Sequence, residues 1–391
     1  MRRTLITLAL FTAAAPATCA QTSRAWGNLQ VTLESCFRAS SGTYSGCNIV
    51  LTNTGPQPVS VRLDAARDTV TLPDSVTTEA KSVILGGDEQ RYSVTKVIPA
   101  GNSMRGQLNY NVTKGVTTLQ ALRVGEAEFR NVPLARDIPA EPAVNLPQPA
   151  VTTDETNQIR LTFLDCVRSG TQVTCSFAMS SQTDDPLRVT SQSYDVTWAL
   201  TRTGLVQAGS QVTLGGQTER YSVTSFLPAR RALLSQVTFT LPEGDTFVPY
   251  LQLNNYAFRS LPIISAPGPR ALNSGGDLVN TYRLRDYSGT VDGCAYARGG
   301  LRCSFTLTNR TEEGYRLTTS ADDLRLLTPD GRWFGTTSLT AGGQTAPYSA
   351  EIPLPARQTG TLSVLFGAPD NLTNIPFLSV GGLEFENVPV K

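Results

Sequence analysis

One block of sequence occurs three times. Leu85-Gly86-Gly87, followed by Arg91-Tyr92-Ser93-Val94-Thr95, returns as Leu214-Gly215-Gly216 followed by Arg220-Tyr221-Ser222-Val223-Thr224, and more weakly as Ala341-Gly342-Gly343 followed by Tyr348-Ser349. Pro-Ala comes seven residues after each tyrosine, at Pro99-Ala100, Pro228-Ala229 and Pro355-Ala356. Thirty residues after each proline a phenylalanine opens a closing motif: Phe129-Arg130-Asn131-Val132-Pro133, Phe258-Arg259-Ser260-Leu261-Pro262 and Phe385-Glu386-Asn387-Val388-Pro389. The phenylalanines are 129 and then 127 residues apart, far beyond the ~20 to 50 residues of a solenoid unit. The chain therefore has to fold as three homologous domains in tandem.

The cysteines follow the same period. Of seven, six fall into three close pairs, Cys36/Cys47, Cys166/Cys175 and Cys294/Cys303, and the seventh, Cys19, stands apart near the N-terminus. Each pair brackets a turn-like segment (Ala39-Ser40-Ser41-Gly42, Arg168-Ser169-Gly170, Arg298-Gly299-Gly300) between apolar-rich runs. That is the layout of a hairpin whose two strands face a cysteine to a cysteine, within the ~4.4 to 6.8 Å Cα separation a disulfide accepts, so three local disulfides are expected. Zinc is the rival reading, but the pairs lie too far apart along the chain and within each pair exceed the ~2 to 4 residue spacing of a zinc knuckle. Closing each loop should stabilise its domain by ~2.7 kcal/mol.

Inside each repeat the runs are short, rich in Val, Thr, Leu and Tyr, and punctuated by Gly, Pro, Asn or Asp, which is strand and turn chemistry. No helical stripe follows the N-terminal segment. Seven to nine short strands in ~110 residues predict an all-β chain of three tandem antiparallel β-sandwiches. Ile49/Leu51, Phe177/Met179 and Phe305/Leu307 share a face with the second cysteine of each pair, so the disulfides should border the core. Leu29, Val31 and Leu33 are out of phase with Cys36, which predicts a β-bulge just before that cysteine.

The proposed boundaries are residues 21–135, 158–262 and 280–391, joined by a Pro-rich linker (136–157) and a Pro/Gly linker (263–279). The first should be an extended, semi-rigid spacer and the second shorter and more flexible. Residues 1–20 read as a secretory signal: Met1-Arg2-Arg3, an apolar stretch from Leu5 to Ala15, and small residues in Thr18-Cys19-Ala20 before Gln21. No later run approaches the ~20 apolar residues of a membrane helix.

Cys166-Val167-Arg168-Ser169-Gly170-Thr171-Gln172-Val173-Thr174-Cys175 and the strand endings Thr52-Asn53 and Thr308-Asn309 resemble immunoglobulin-like domains of secreted bacterial cell-envelope proteins. The resemblance covers all three repeats at the level of pattern. It implies scaffold or adhesion work, in the periplasm or at the cell surface. The cysteine pairs are local rather than bridging distant strands, and no Trp lies between them, in contrast to true immunoglobulins.

Composition narrows the chemistry. The chain of 391 residues has no histidine, which excludes Ser-His-Asp and Cys-His catalysis and histidine-ligated metals. With 33 Lys+Arg against 32 Asp+Glu there is no bulk field to gather nucleic acid. The Gly-Gly pairs lack a nucleotide-loop pattern and read as hairpin turns. Asp184-Asp185, Glu312-Glu313 and Asp322-Asp323 read as solvated turns rather than paired catalytic carboxylates. Tyr92, Tyr221 and Tyr348 read as packed strand residues, with a sugar-stacking platform as the alternative. Trp333 and Phe334, after Pro329-Asp330-Gly331, are the candidate exposed contact. No catalytic, cofactor or metal residue is assigned. The expectation is a non-enzymatic exported scaffold or accessory subunit with envelope proteins as partners; the alternative is a multivalent module or adhesin for envelope carbohydrate or another surface polymer.

Overall fold

The computed structural model describes residues 22–38, 44–135, 142–268, 270–273 and 276–391. The secretory signal expected over residues 1–20 and the turn at residues 39–42 lie outside the described residues. All described regular structure is β apart from two three-residue 3-10 turns, Tyr194–Val196 and Ala321–Asp323. The strands form three sheet systems, one per repeat, and each system has a separate two-stranded ribbon beside it. The all-β, three-sandwich architecture is thus present.

Repeat 1 illustrates the plan. Its strands are β1 (Thr22–Trp26), β2 (Leu29–Arg38), β3 (Tyr44–Asn53), β4 (Val59–Asp64), β5 (Thr69–Thr71), β6 (Thr77–Glu79), β7 (Ser82–Leu85), β8 (Asp88–Gln90), β9 (Ser93–Ile98), β10 (Ser103–Asn111), β11 (Thr118–Val124) and β12 (Ala127–Ala135). The sheet runs β6-β5-β11-β12-β2-β3-β10-β7-β8, with β1 beside β2 and the β4/β9 ribbon apart. Pairing is antiparallel except where β12 meets β2, Leu134 opposite Cys36. That parallel contact lets one sheet fold over into two layers, and Val31, Ile49, Leu51, Leu108, Leu122 and Phe129, all nearly inaccessible, fill the space between them.

The repeated residues have local reasons. Gly86/Gly87, Gly215/Gly216 and Gly342/Gly343 all adopt positive φ, the requirement of a tight two-residue hairpin turn. In the closing motif Asn131, Ser260 and Asn387 are left-handed (φ 54°, 51° and 52°), which kinks the strand behind its buried phenylalanine. Asn53 and Asn309 explain the Thr-Asn endings: each amide donates to the carbonyl of the residue before the Pro-Ala motif, Ile98 (3.0 Å) and Leu354 (2.9 Å).

The three disulfides form as expected, Cys36 to Cys47, Cys166 to Cys175 and Cys294 to Cys303. Their Cα separations of 4.0, 3.9 and 4.1 Å are shorter than the ~4.4 Å expected as a lower bound. The reason is the ladder: Cys36 lies directly opposite Cys47, Cys166 opposite Cys175 and Cys294 opposite Cys303, so the bridge spans one rung of a hairpin. All six are buried, with Cys47, Cys166, Cys175 and Cys303 wholly inaccessible, so the bridges lie in the core rather than at its border. The expected bulge precedes Cys36, between Leu33 and Ser35, and recurs before Cys166 and Cys294.

Of the segments expected to be spacers, residues 136–141, 269 and 274–275 lie outside the described residues, and the described parts carry structure. Asn145, 3% exposed, clasps the backbone of Ser103, accepting from its N–H (2.7 Å) and donating to its C=O (2.8 Å). Asn273, 4% exposed, does the same to Ala232 (2.8 Å for both bonds). Six residues after each clasp the chain has joined the following repeat, where Val151 bridges to Arg259 and Val279 to Glu386. Thr153–Glu155 and Thr281–Arg283 then pair as edge strands. A side chain spent on both polar groups of one buried residue holds a segment in place, and prolines in the sequence do not reveal that.

Two compact units result. One runs to Asn145 and includes Thr203–Leu205; the other spans Leu146–Arg202 and Val206–Lys391. The second unit therefore contains both repeat 2 and repeat 3, fused through a hairpin of repeat 3. The Gly331 carbonyl accepts from the Leu234 N–H (2.8 Å), and the Trp333 N–H donates to the Gly215 carbonyl (2.8 Å). The Trp333 indole donates to the Phe226 carbonyl (3.1 Å) and meets the Phe377 ring edge-on at 6.0 Å. Leu327 and Phe377 of repeat 3 belong to the same buried cluster as Phe177 and Phe258 of repeat 2.

Candidate functional site

Repeat 1 carries a cleft of about 1060 Å³, bounded by the end of β1, the strand β4 with the turn after it, and the β11–β12 turn. Along β4, Val61 and Leu63 point into the core, so the alternation turns Ser60 and Arg62 outward to the cleft. After β4 the chain folds tightly, with the Arg67 and Asp68 N–H groups both donating to the Asp64 carbonyl (3.0 and 2.8 Å). This lifts Arg67 onto the rim. Neither Cys36 nor Cys47 lines the cleft; their bridge serves the sheet behind it.

Asp68 is the keystone of that turn. It is 2% exposed and its two oxygens accept from the N–H groups of Asp64 and Gly125, each at 2.7 Å. Burial raises its carboxyl above the usual carboxylate range, against the opposing effect of those two hydrogen bonds and of Arg123. Asp68 thereby ties the floor of the cleft to the far wall. There Gly125 sits at φ 54° with the Trp26 indole so close that a Cβ at this position would lie 2.5 Å from the ring. Only glycine permits that approach.

The polar equipment of the cleft is balanced. Arg62, Arg67 and Arg123 face Asp64, Asp68 and Glu126. Arg62 pairs with Asp64 at 3.1 Å, and Arg123 donates through Nε to the Gly125 carbonyl (3.2 Å). The Arg67 side chain is exposed and makes no hydrogen bond or ion pair among the described residues.

The other repeats do not reproduce this chemistry. The β4/β9 ladder sets Arg62 opposite Thr95; Thr190 and Thr318 occupy that rung in repeats 2 and 3. Arg123 corresponds to Gln252 and Ser379 across the closing hairpin. Arg67, two residues after the position that donates to the repeated tyrosine's carbonyl, corresponds to Asp195 and Asp323. Trp26 corresponds to Thr156 and Leu284. The sequence reading missed all four cleft residues. The signal was present in the tryptophans, since Trp26, Trp198 and Trp333 occupy unlike positions in the repeats, but only the ladder register shows which residues take Trp26's place.

Trp333 and Phe334 do not form an exposed contact. Both are partly buried: Trp333 is spent on the junction with repeat 2, and Phe334 packs on the core of repeat 3. The three repeated tyrosines also depart from expectation. Tyr92, Tyr221 and Tyr348 are 73%, 62% and 78% exposed. Their backbone carbonyls, which accept from Ala65, Ser193 and Ala321, are the structural part, and the rings are exposed. Arg91 and Arg220 lie over Tyr92 and Tyr221 at 5.5 and 5.2 Å. The acidic pairs stay apart: Asp184 pairs with Arg230, and Glu312 with Arg357. Among the described residues no cluster of Cys, Asp and Glu could hold a metal ion, and no helix is long and apolar enough to cross a membrane.

No protein-family model matches this chain, and no curated protein does. Among solved structures, the SENS161-164DSSN mutant of Bacillus subtilis oxalate decarboxylase aligns at 10% identity over 62% of this chain and 78% of that one, with a TM-score of 0.11. Oxalate decarboxylase from Bacillus subtilis at pH 4.6 aligns at 10% over 63% and 77%, with a TM-score of 0.10. Likenesses this slight carry no argument about fold or chemistry.

Proposed function

We propose that this protein is a non-enzymatic, exported cell-envelope scaffold or accessory interaction subunit. The observation that carries this reading is the junction inside the second unit. There Trp333, the Asn273 clasp and a shared apolar cluster weld two sandwiches into one body, an investment in shape rather than reactivity. Three buried disulfides favour an oxidising compartment. Crosslinking of the full chain in intact cells tests the proposal: recovery in a defined complex with an envelope protein is expected, and recovery only as free chain contradicts it.

A second reading, binding to an envelope carbohydrate or another surface polymer, is favoured by the exposed tyrosines. One ring per repeat at the same position suits a repeating ligand, and linked weak sites gain avidity through effective concentration. Retention on cell-wall polysaccharide should then fall steeply when Tyr92, Tyr221 and Tyr348 are all replaced by serine. Unchanged retention would remove the tyrosines from the account.

A further inference from the structure

We infer that the repeat 1 cleft is a binding site for a short neutral oligosaccharide, with Trp26 as its wall and Arg67, Arg62 and Arg123 as hydrogen-bond donors. This deepens the second reading above but is independent of the tyrosines. Size is the first consideration: at about 1060 Å³ the cleft lies just above the ~300 to 1,000 Å³ usual for small-molecule sites, room for a few linked rings rather than one.

Charge is the second. Three arginines against three carboxylates leave no net field to select an anion, so recognition has to come from hydrogen bonding and stacking. The carboxylates are largely committed: Asp68 to two backbone N–H groups, Asp64 to Ala66 N–H (3.1 Å) and Arg62. The arginine donors are less so, above all the unpaired Arg67. Ser60 and Thr69 add hydroxyls on the same lining. Donors and acceptors mixed over one surface beside an indole suit a polyhydroxylated ring, whose hydroxyls both give and accept and whose C–H face lies against the aromatic.

Difference between the repeats is the third. On one shared backbone, Trp26, Arg62, Arg67 and Arg123 are replaced by Thr156, Thr190, Asp195 and Gln252 in repeat 2, and by Leu284, Thr318, Asp323 and Ser379 in repeat 3. The fold does not need these residues, because two copies do without them. Their convergence on this cleft is what a ligand would explain.

The test is titration of the full disulfide-bonded chain with neutral gluco-, manno-, galacto- and N-acetylglucosamine oligomers, beside the corresponding uronic-acid oligomers. At least one neutral oligomer should bind with 1:1 stoichiometry. Arg67→Ala, at an exposed side chain that supports nothing, and Trp26→Ala should each weaken it tenfold or more with the thermal midpoint of Arg67→Ala unchanged. The triple tyrosine-to-serine variant should bind as the parent does. Binding of no neutral oligomer overturns the inference, as does binding only of uronic-acid oligomers or binding indifferent to Arg67 and Trp26. Loss only in the triple tyrosine variant would overturn the cleft while sparing the polymer-binding reading.

Discussion

Repeats 1 and 3 share a backbone plan and differ in what they do with the same hairpin. The turn between the two strands that follow the ribbon is Leu72-Pro73-Asp74-Ser75-Val76-Thr77 in repeat 1 and Thr328-Pro329-Asp330-Gly331-Arg332-Trp333 in repeat 3. Both close alike: Ser75 N–H donates to Leu72 and Gly331 N–H to Thr328, each at 2.9 Å, and Ser75 and Gly331 both take positive φ. Yet Val76 and Thr77 are exposed, whereas Trp333 is lodged against Phe226 and Phe377. The hairpin is thus conformationally fixed by its own hydrogen bonds, and its side chains are free to become surface or joint. In repeat 1 this hairpin stays at the surface, and in repeat 3 it joins repeat 2.

On that contrast, the largest effect comes from Trp333. Trp333→Ala should cost the second unit about 3 kcal/mol, as for truncation of a large packed aromatic, while the matching Thr77→Ala in repeat 1 stays within about 0.5 kcal/mol. Denaturant unfolding of both variants measures this; equal costs would erase the distinction between joint and surface. Next in size is the clasp. Asn273→Ala strands the buried N–H and C=O of Ala232 and should cost about 1 to 3 kcal/mol, with earlier proteolysis between residues 263 and 279. An unchanged cleavage pattern would restore the flexible-linker expectation.

A finer contrast separates two glycines of the repeated turn. Gly215→Ala and Gly342→Ala both force an L side chain into a left-handed conformation, at about 1 to 2 kcal/mol. A Cβ at Gly215 would also lie 2.7 Å from the Trp333 ring, while nothing lies near one at Gly342. Gly215→Ala should therefore be the more destabilising, and in a Trp333→Ala background the two should converge. Persisting inequality there would show that the ring is not the cause.

The smallest effect is that of pH. Burial raises the Asp68, Asp245 and Glu384 carboxyls in the folded chain. A raised folded value means the associated stability is complete below the unfolded pKa and is lost as pH rises through the folded one. The hydrogen bond from Arg357 lowers exposed Glu312 and works the other way. With no histidine to charge, the thermal midpoint should be level or slightly higher at pH 5 than at pH 7. A marked fall on acidification would contradict this assignment.

Much of the fold was legible because its determinants are local. Paired cysteines, positive-φ glycines and period-2 alternation act within one hairpin, and each was found where the sequence put it, the bulge before Cys36 included. What was not legible depended on partners far along the chain. Nothing near Trp333 announces Phe226 and Phe377, and nothing near Asn145 or Asn273 announces the backbone of Ser103 or Ala232. The tyrosines misled for a related reason: the backbone carbonyl explains the structural part of the repeated position, so the side chain did not need burying. The cleft was hidden by dispersal, its residues lying on β1, on β4 and the turn after it, and at the β11–β12 turn.

On the proposed reading the labour is divided: repeat 1 makes the contact, and repeats 2 and 3 form the support. A photo-crosslinking phenylalanine analogue placed singly at Ala66 on the cleft lining, or at its equivalents Tyr194 and Asp322, tests it in intact envelopes without touching the arginines or Trp26. The expected result is adducts with an envelope component from position 66 and none from 194 or 322. Adducts of equal yield from all three, or from 194 or 322 alone, would contradict it.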